Sequence, residues 1–142
     1  MLYVESTTME EVLIEMVREL STNDKETLSQ NGRHSRNKGK RGEREVAKIF
    51  RDAGYPARRS VQYNGRPGTA ADVVGVPGMH IEVKFVETER IREWYRQAER
   101  DAAASPEQKK PVVVHRKSRE PWLVTLSLED FVRLLEPDVG RK

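Results

Sequence analysis

The stretch from 71 to 85 constrains the fold of this chain more than any other part of the sequence. Two short β-type runs meet at Val76-Pro77-Gly78, and a proline followed by glycine is typical of a type II turn. The second run alternates strictly between apolar and polar residues. Because side chains on a strand have a period of two, Glu82 and Lys84 share one face and apolar residues share the other. The sequence therefore predicts a strand with one charged face.

Asp72, in the first run, is expected to lie beside Glu82 and Lys84 on that charged face. Two carboxylates and an ammonium group are suited to hold Mg²⁺ and to orient a water molecule, because Mg²⁺ prefers oxygen ligands and keeps several waters. The backbone carbonyl of Val83 is a further candidate ligand. The alternative is that the alternation marks only the solvated face of an antiparallel sheet. The spacing alone does not choose between these two interpretations.

The composition excludes several classes of site. With 142 residues, of which 36% are hydrophobic and 35% charged, the chain is large enough for one domain with a modest core. It contains no cysteine, which excludes disulfides, zinc–thiolate sites and a thiol nucleophile. No apolar run approaches the roughly 20 residues of a membrane span, and the N-terminus lacks the pattern of a signal peptide. We expect a cytoplasmic protein without a membrane partner or a small-molecule cofactor.

Positive charge is concentrated in one segment of the chain. Residues 31–60 hold ten basic and three acidic residues, a net charge of +7, whereas residues 1–30 carry −5 and residues 61–142 carry +1. Such a concentration of positive charge is typical of proteins that bind polyanions. The alternative is a solvated basic linker.

An amphipathic helix is predicted near the N-terminus. The pairs Thr7-Thr8 and Glu10-Glu11 form a capping-box pattern. Apolar residues then recur at helical spacing, at Met9, Val12, Leu13, Met16, Val17 and Leu20. This stripe needs a partner surface, so we expect residues 1–30 to form a helical extension for docking or homodimerisation. Residues 31–40 lack an apolar pattern and are predicted to be a flexible basic linker.

The rest of the sequence alternates between helical and strand-like segments. Helices are predicted at 41–53, at 87–104 and from Ser127, the last of which would bury Leu128, Phe131, Val132 and Leu135. Strand-like segments lie at 55–63, within 71–85, and at 111–115 and 121–126. This order predicts an α/β domain at residues 41–136, with a central mixed sheet flanked by helices, and a loose tail at 137–142.

Several polar side chains of this domain are candidates for contact with a metal or a polyanion. Glu43 borders the buried stripe of its helix, where it is either a surface residue or an acid that leans over the sheet. Gln97 and Asp101 share a side of the 87–104 helix, one turn apart. Candidate phosphate contacts come from the basic segment and from the glycine-rich loop at 64–69: Lys38, Lys40, Arg41, Arg44, Arg58, Arg59, Ser60 and Arg66.

Together these motifs resemble a known group of enzymes. Asp72, nine intervening residues and then Glu82-Val83-Lys84 resemble the PD-(D/E)XK nuclease signature, although Ala71 stands where a proline would complete it. Residues 38–45, with Gly54-Tyr55 and Arg59-Ser60 after them, resemble the opening of archaeal-type Holliday junction resolvases and of small phage resolvase-like endonucleases. The resemblance covers about 38–135 and implies a restriction-endonuclease-like core.

The resemblance also implies a role for each matching residue. Asp72 and Glu82 match the metal ligands, Lys84 matches the catalytic lysine, and Glu43 matches an active-site acid on the preceding helix. Gln97 matches a glutamine found in many members of the superfamily. The implied cofactor is Mg²⁺, for which Mn²⁺ is expected to substitute, and the implied partner is DNA.

We therefore predict a Mg²⁺-dependent DNA endonuclease that cleaves branched DNA, including four-way junctions, in phage or prokaryotic recombination and repair. A homodimer formed through the N-terminal helix would present two sites to two strands. The expected location is the cytoplasm of a prokaryote or a phage-infected host. The alternative is a DNA-binding or assembly module that has the same fold but no chemistry.

Overall fold

The computed structural model of the protein describes residues 8–61 and 70–135. Its elements are α1 (Met9–Asp52), β1 (Arg58–Arg59), β2 (Val73–Val74), β3 (Met79–Phe85), α2 (Ile91–Ala104), β4 (Lys110–Arg116), β5 (Leu123–Thr125) and α3 (Leu128–Leu134). The chain divides into two compact units, Met1–Asn37 and Lys38–Lys142. Thr7, the predicted loop at 64–69 with Arg66, and the predicted tail at 137–142 lie outside the described residues.

The second unit contains a five-stranded sheet in the order β1-β2-β3-β4-β5. Neighbouring strands are antiparallel except for β3 and β4, which are parallel and bring Glu82 opposite Val113. A parallel pair needs a crossover connection, and α2 provides it. The predicted mixed sheet with flanking helices is therefore confirmed.

The sheet has apolar residues on both faces. On one face, Ile81 and Val83 of β3 pack in a cluster with Val46 and Ala47 of α1. On the other face, Trp94 and Ala98 of α2 pack against Val113 of β4, together with the partly buried Ile91 and Tyr95. Buried strands with helices on both sides are typical of α/β proteins. The alternating side chains of β3 therefore face α1 on one side of the sheet and α2 on the other.

Two glycines allow the tight connection between β2 and β3. Gly78 has φ +74°, and the N–H of Met79 donates to the carbonyl of Val76 at 3.3 Å, which closes the predicted turn. Gly75 has φ +92°, and a Cβ there would lie 2.0 Å from the carbonyl oxygen of Pro56. A side chain at either position would be strained, because positive φ favours glycine.

The first unit contains the N-terminal part of α1. The predicted capping box is confirmed at Thr8 and Glu11, since the N–H of Glu11 donates to Thr8 Oγ1 at 3.3 Å and the N–H of Thr8 donates to the Glu11 carboxylate at 3.0 Å. The predicted apolar stripe is exposed, from 44% at Val12 to 81% at Met9. No helix in the described part of the chain is both long and apolar enough to cross a membrane.

Two predictions about local structure are wrong. Residues 31–40 are helical and belong to α1, so they are not a flexible basic linker. The segment contains no proline to break the helix, and it continues directly into the predicted helix that follows it. The last helix does not bury its apolar stripe: Leu128, Phe131, Val132 and Leu135 are between 46% and 76% exposed.

Candidate active site

The charged face of β3 is covered, not solvated. His80 is 2% exposed and Glu82 is 5% exposed, since α2 packs against both β3 and β4. The interpretation of this face as a merely solvated surface is therefore wrong at Glu82. A buried carboxylate is costly unless hydrogen bonds or a positive charge compensate it, so the surroundings of Glu82 are a candidate functional site.

The backbone aligns Asp72 with β3. Its N–H donates to the carbonyl of Ile81 at 2.8 Å, and its carboxylate oxygen Oδ2 accepts a hydrogen bond from the N–H of Val83 at 2.8 Å. These two contacts bracket Glu82. Burial, followed by the neighbouring Glu82 carboxylate and to a smaller extent the Glu43 carboxylate, raises the pKa of Asp72 to about 8. When two carboxyl groups lie this close together and are this buried, ionising both at once is unfavourable.

The donor set around Asp72 fits a hard divalent cation. Mg²⁺ takes oxygen ligands, keeps several waters and typically uses one or two protein carboxylates. Asp72 and Glu82 supply two carboxylates, and Val83, whose carbonyl is the third predicted ligand, holds Asp72 through its N–H. A cation between the carboxylates would lower the pKa of Asp72, because an opposite charge favours the ionised form.

Glu43 reaches the same region from α1. Its carboxylate accepts a hydrogen bond from Arg59 Nε at 2.5 Å, and both side chains are partly buried. Glu43 and Asp72 line a recess of about 450 Å³, together with Lys40, Arg59, Ser60, Val61 and Ala71. Of the two interpretations of Glu43, an acid that leans over the sheet is the one that agrees with this position.

Lys84 and Gln97 meet at a second recess. Lys84 Nζ donates to Gln97 Oε1 at 3.4 Å, which is a long hydrogen bond. The recess measures about 550 Å³ and is lined by Lys84, Arg90, Glu93, Trp94, Arg96, Gln97 and Arg100. Arg96 and Arg100 were not among the predicted phosphate contacts. Their spacing of four residues on α2 places them on one helix face, a signal that the sequence contained.

His80 and Asp101 are also missing from the predicted site. The Nε2 atom of His80 lies 3.3 Å from Oε1 of Glu82, and ligand atoms of His80, Glu82 and Asp101 all lie within 4.8 Å of one another. The signal for His80 was its place two residues before Glu82, on the same face of the strand. The sequence places Asp101 one turn from Gln97, but spacing alone does not show that α2 brings it to Glu82.

The predicted phosphate contacts do not form a single group. Lys40, Arg59 and Ser60 line the Glu43 recess, and the N–H of Ser60 donates to the carbonyl of Asp72 at 2.9 Å. Arg44 and Arg58 are exposed. Arg66 lies outside the described residues.

Lys38 and Arg41 occupy a separate cluster around the ring of Phe85. Lys38 Nζ lies 2.5 Å from a Glu87 carboxylate oxygen and 4.6 Å from the ring centre. The Arg41 guanidinium lies 5.1 Å from the same ring centre, and that of Arg116 lies at 4.3 Å. Cations over an aromatic face are held by cation–π attraction, so Lys38 already has partners within the protein.

Comparison with known proteins places the chain among nucleases. Residues 34–140 match the model of a protein family described as "Phage putative PDDEXK endonuclease". Among solved structures, Hjc, a Holliday junction resolvase from Archaeoglobus fulgidus, is similar with a TM-score of 0.49 and 22% sequence identity, over 62% of this chain and 76% of that chain. No curated protein matched the sequence significantly.

Proposed function

We propose, from the premise that this chain belongs to the family of phage PDDEXK endonucleases, that it hydrolyses phosphodiester bonds of branched DNA with the help of Mg²⁺. The predicted resemblance to PD-(D/E)XK nucleases is confirmed by this family match. Mn²⁺ is expected to replace Mg²⁺, since both accept oxygen ligands in octahedral geometry.

One observation carries the proposal: Asp72 and Glu82 are partly or fully buried side by side, and the pKa of Asp72 is raised to about 8 by burial and by the Glu82 carboxylate. Such an arrangement is unfavourable without a cation and favourable with one. A divalent ion bound there would polarise a phosphate oxygen and lower the pKa of a bound water. We propose that Asp72, Glu82 and the Val83 carbonyl hold it.

The other site residues receive supporting roles. Lys84 would stabilise the charge that develops on the phosphate, and Gln97, its hydrogen-bond partner at 3.4 Å, would orient its ammonium group. Glu43, whose carboxylate is held by Arg59 in the recess that it shares with Asp72, would act beside Asp72 as the active-site acid of the helix. A point charge with rotatable donors suits the role proposed for Lys84.

DNA would contact two basic surfaces. The first comprises Lys40, Arg59 and Ser60, which line the recess of Glu43, and the remaining predicted contacts, Lys38, Arg41, Arg44, Arg58 and Arg66, are proposed from the sequence alone. The second, which we call the α2 arginine face, comprises Arg96 and Arg100 beside Lys84. Arginine binds phosphate through two parallel N–H donors. The α2 arginine face lies next to Lys84, so we propose that it holds the DNA strand that is cut.

Branched DNA is proposed as the substrate because residues 38–45 and the motifs after them resemble the resolvase pattern. The exposed N-terminal stripe would join two chains, so that each branch point meets two sites. Leu13→Asp together with Val17→Asp should convert such a dimer to monomers, because a charge in a buried apolar seam is costly. Light scattering of the full chain measures this, with Glu15→Gln on the same helix as the control.

Cleavage assays test the proposal directly. The full chain is incubated with four-way junction, flap, duplex and single-stranded DNA, in Mg²⁺, Mn²⁺ or EDTA. We expect metal-dependent cleavage that prefers the branched substrates, and its loss in Asp72→Asn and Glu82→Gln. Lys84→Ala should slow cleavage by roughly 100- to 1,000-fold, the usual effect of removing a group that stabilises developing charge.

Asp52→Asn is the control for these variants, because Asp52 is an exposed acid of α1 paired with Lys48. Its cleavage rate should match that of the wild type. A wild-type protein that binds junctions but leaves them uncut in both metals would instead support the non-catalytic DNA-binding module.

A further inference from the structure

We propose that His80, Glu82 and Asp101 form a second divalent-cation site, whose nitrogen and oxygen donors suit Mn²⁺, Co²⁺ or Zn²⁺ better than Mg²⁺. The inference shares Glu82 with the proposed Mg²⁺ site but does not require that the protein cleave DNA. Among the residues that the structure describes, these three are the group of histidines and acids whose ligand atoms all lie within 4.8 Å of one another.

Rigid elements place the three side chains. His80 and Glu82 stand on the same face of β3, which pairs along its whole length with β4. Asp101 belongs to α2, which packs against this face through Trp94 and Ala98. A metal site needs ligands whose positions are fixed before the ion arrives. Side chains on a central strand and on a helix packed against it meet that requirement.

The distances permit coordination after a small movement. Ligands that each lie about 2.1 Å from one ion are at most about 4.2 Å apart. His80 Nε2 and Glu82 Oε1 are already 3.3 Å apart. The remaining separations are at most 4.8 Å, so a shift of a few tenths of an ångström by Asp101, the least buried of the three, would close the site.

The charge around Glu82 favours a cation. Its carboxylate has Asp72 as one acidic neighbour and Asp101 as another. His80 is the basic group in contact with it, whereas Lys84, farther along the same face, donates to Gln97. Even without Asp72, the carboxylates of Glu82 and Asp101 face a single imidazole and leave this region with an excess of negative charge. A divalent ion would offset that excess more completely than a protonated histidine can.

The donor types decide the class of metal. Imidazole nitrogen suits Zn²⁺, Co²⁺ and related transition metals, whereas Mg²⁺ demands oxygen ligands. Asp72 and Glu82 supply only oxygen ligands to the proposed Mg²⁺ site, whereas His80 adds a nitrogen ligand to the second site. Glu82 would then supply a ligand to both proposed sites.

The test measures metal binding, not cleavage. Co²⁺ is titrated into the full-length Asp72→Asn variant, and its visible absorption and calorimetric stoichiometry are recorded. This variant lacks one carboxylate of the Mg²⁺ site but keeps His80, Glu82 and Asp101. We expect one equivalent of Co²⁺ with an absorption spectrum that reports a nitrogen ligand. Adding His80→Gln or Asp101→Asn should each weaken Co²⁺ binding by at least about tenfold.

The other two histidines of the chain provide matched controls. His115 is also buried on a central strand, with Nε2 2.9 Å from Thr125 Oγ1, and His34 is exposed on α1. His115→Gln and His34→Gln should leave Co²⁺ affinity and spectrum unchanged. Circular dichroism establishes that each variant is folded, and Asp101→Asn, at a partly exposed position, decides the outcome where His80→Gln does not fold.

Two results would overturn the inference. One is an Asp72→Asn protein that binds no Co²⁺, and the other is an affinity that neither His80→Gln nor Asp101→Asn changes. Either would mean that His80 only donates a structural hydrogen bond to Glu82. Failure of the proposed nuclease function would look different, since a protein that cuts no DNA can still bind Co²⁺ through His80.

Discussion

The Asp72 carboxylate accepts a hydrogen bond from the backbone N–H of Val83 at 2.8 Å, so the acid is fixed to the residue that follows Glu82. This hydrogen bond holds two carboxylates together although burial and mutual repulsion raise the pKa of Asp72 to about 8. The backbone therefore maintains an arrangement that the side chains alone would avoid. Regions of this kind are common at functional sites, where local strain is compensated elsewhere in the fold.

Asp72→Asn is expected to stabilise the metal-free protein at alkaline pH. The pKa of Asp72 rises from 3.8 to about 8 on folding, so the folded state binds more protons between these values and stability falls as pH rises through them. Asparagine removes the charge and keeps an acceptor for the Val83 N–H. Above about pH 8 in EDTA we expect a gain of about 1–3 kcal/mol, the size of a buried polar penalty.

Urea unfolding at pH 5 and pH 8.5 measures this effect. The gain should be larger at pH 8.5, and saturating Mg²⁺ should reverse it by stabilising only the wild type. A variant that is less stable than the wild type at pH 8.5 in EDTA would contradict the proposed repulsion.

The α2 arginine face should contribute to DNA affinity in a salt-dependent way. Removing one side chain that neutralises a phosphate reduces the slope of log affinity against log salt by roughly 0.9 for duplex DNA. Arg96→Ala combined with Arg100→Ala should therefore reduce the slope by roughly 2. Fluorescence anisotropy with labelled DNA in EDTA measures binding without cleavage.

Arg133→Ala is the matched control, because Arg133 is an exposed arginine of α3 that does not line the recess of Lys84. Its slope should equal that of the wild type. Equal slopes for all three proteins would show that DNA does not contact this face.

Gly42 and Gly39 form a matched pair on α1. A Cβ at Gly42 would lie 3.0 Å from Phe85 Cβ and 3.2 Å from the Trp122 ring, whereas one at Gly39 would meet no atom within 4 Å. Gly42→Ala should destabilise the protein by about 1–3 kcal/mol through overpacking. Gly39→Ala should stabilise it by about 0.5–1 kcal/mol, because alanine favours helix.

Thermal unfolding of both variants measures these two opposite changes in stability. Because Gly42 precedes Glu43, Gly42→Ala should also lower nuclease activity by displacing that acid. Two variants with the same sign would contradict the packing of α1 against Phe85 and Trp122.

Glu87 should contribute to stability in acid. Hydrogen bonds from Lys38 and then from Ser118 lower the pKa of Glu87 from 4.5 to about 2. A folded-state pKa below the unfolded value means that this stabilisation is complete above about pH 4.5 and is lost as pH falls toward about 2. Glu87→Gln should flatten the loss of stability in this window.

Urea midpoints at pH 2 to 6 in low and high salt measure the contribution of Glu87. The difference from the wild type should shrink in high salt, since exposed ion pairs are screened. Glu99→Gln, at an exposed glutamate of α2, is the control. A Glu87→Gln protein whose stability falls with pH as steeply as that of the wild type would exclude this ion pair as a stabilising interaction.

The sequence by itself determined the features that depend on local geometry. A strand has a period of two, so the shared face of Glu82 and Lys84 could be predicted before any fold was known. The turn at Val76-Pro77-Gly78, the crossover helix with Gln97 and the mixed sheet followed from equally local signals. The proposed catalytic residues were named by their spacing, and their roles stay predictions.

Only the tertiary structure decided which distant side chains surround those residues. Glu43 meets Arg59, Lys38 meets Glu87, and Asp101 approaches Glu82 because packed helices and strands bring them together. No periodicity encodes such pairs, since they depend on how whole elements pack. The same limit explains the error at 31–40, where a missing apolar pattern indicated a linker but the segment forms part of the continuous helix α1. The burial of Glu82 comes from α2 and β4, which follow it in the chain.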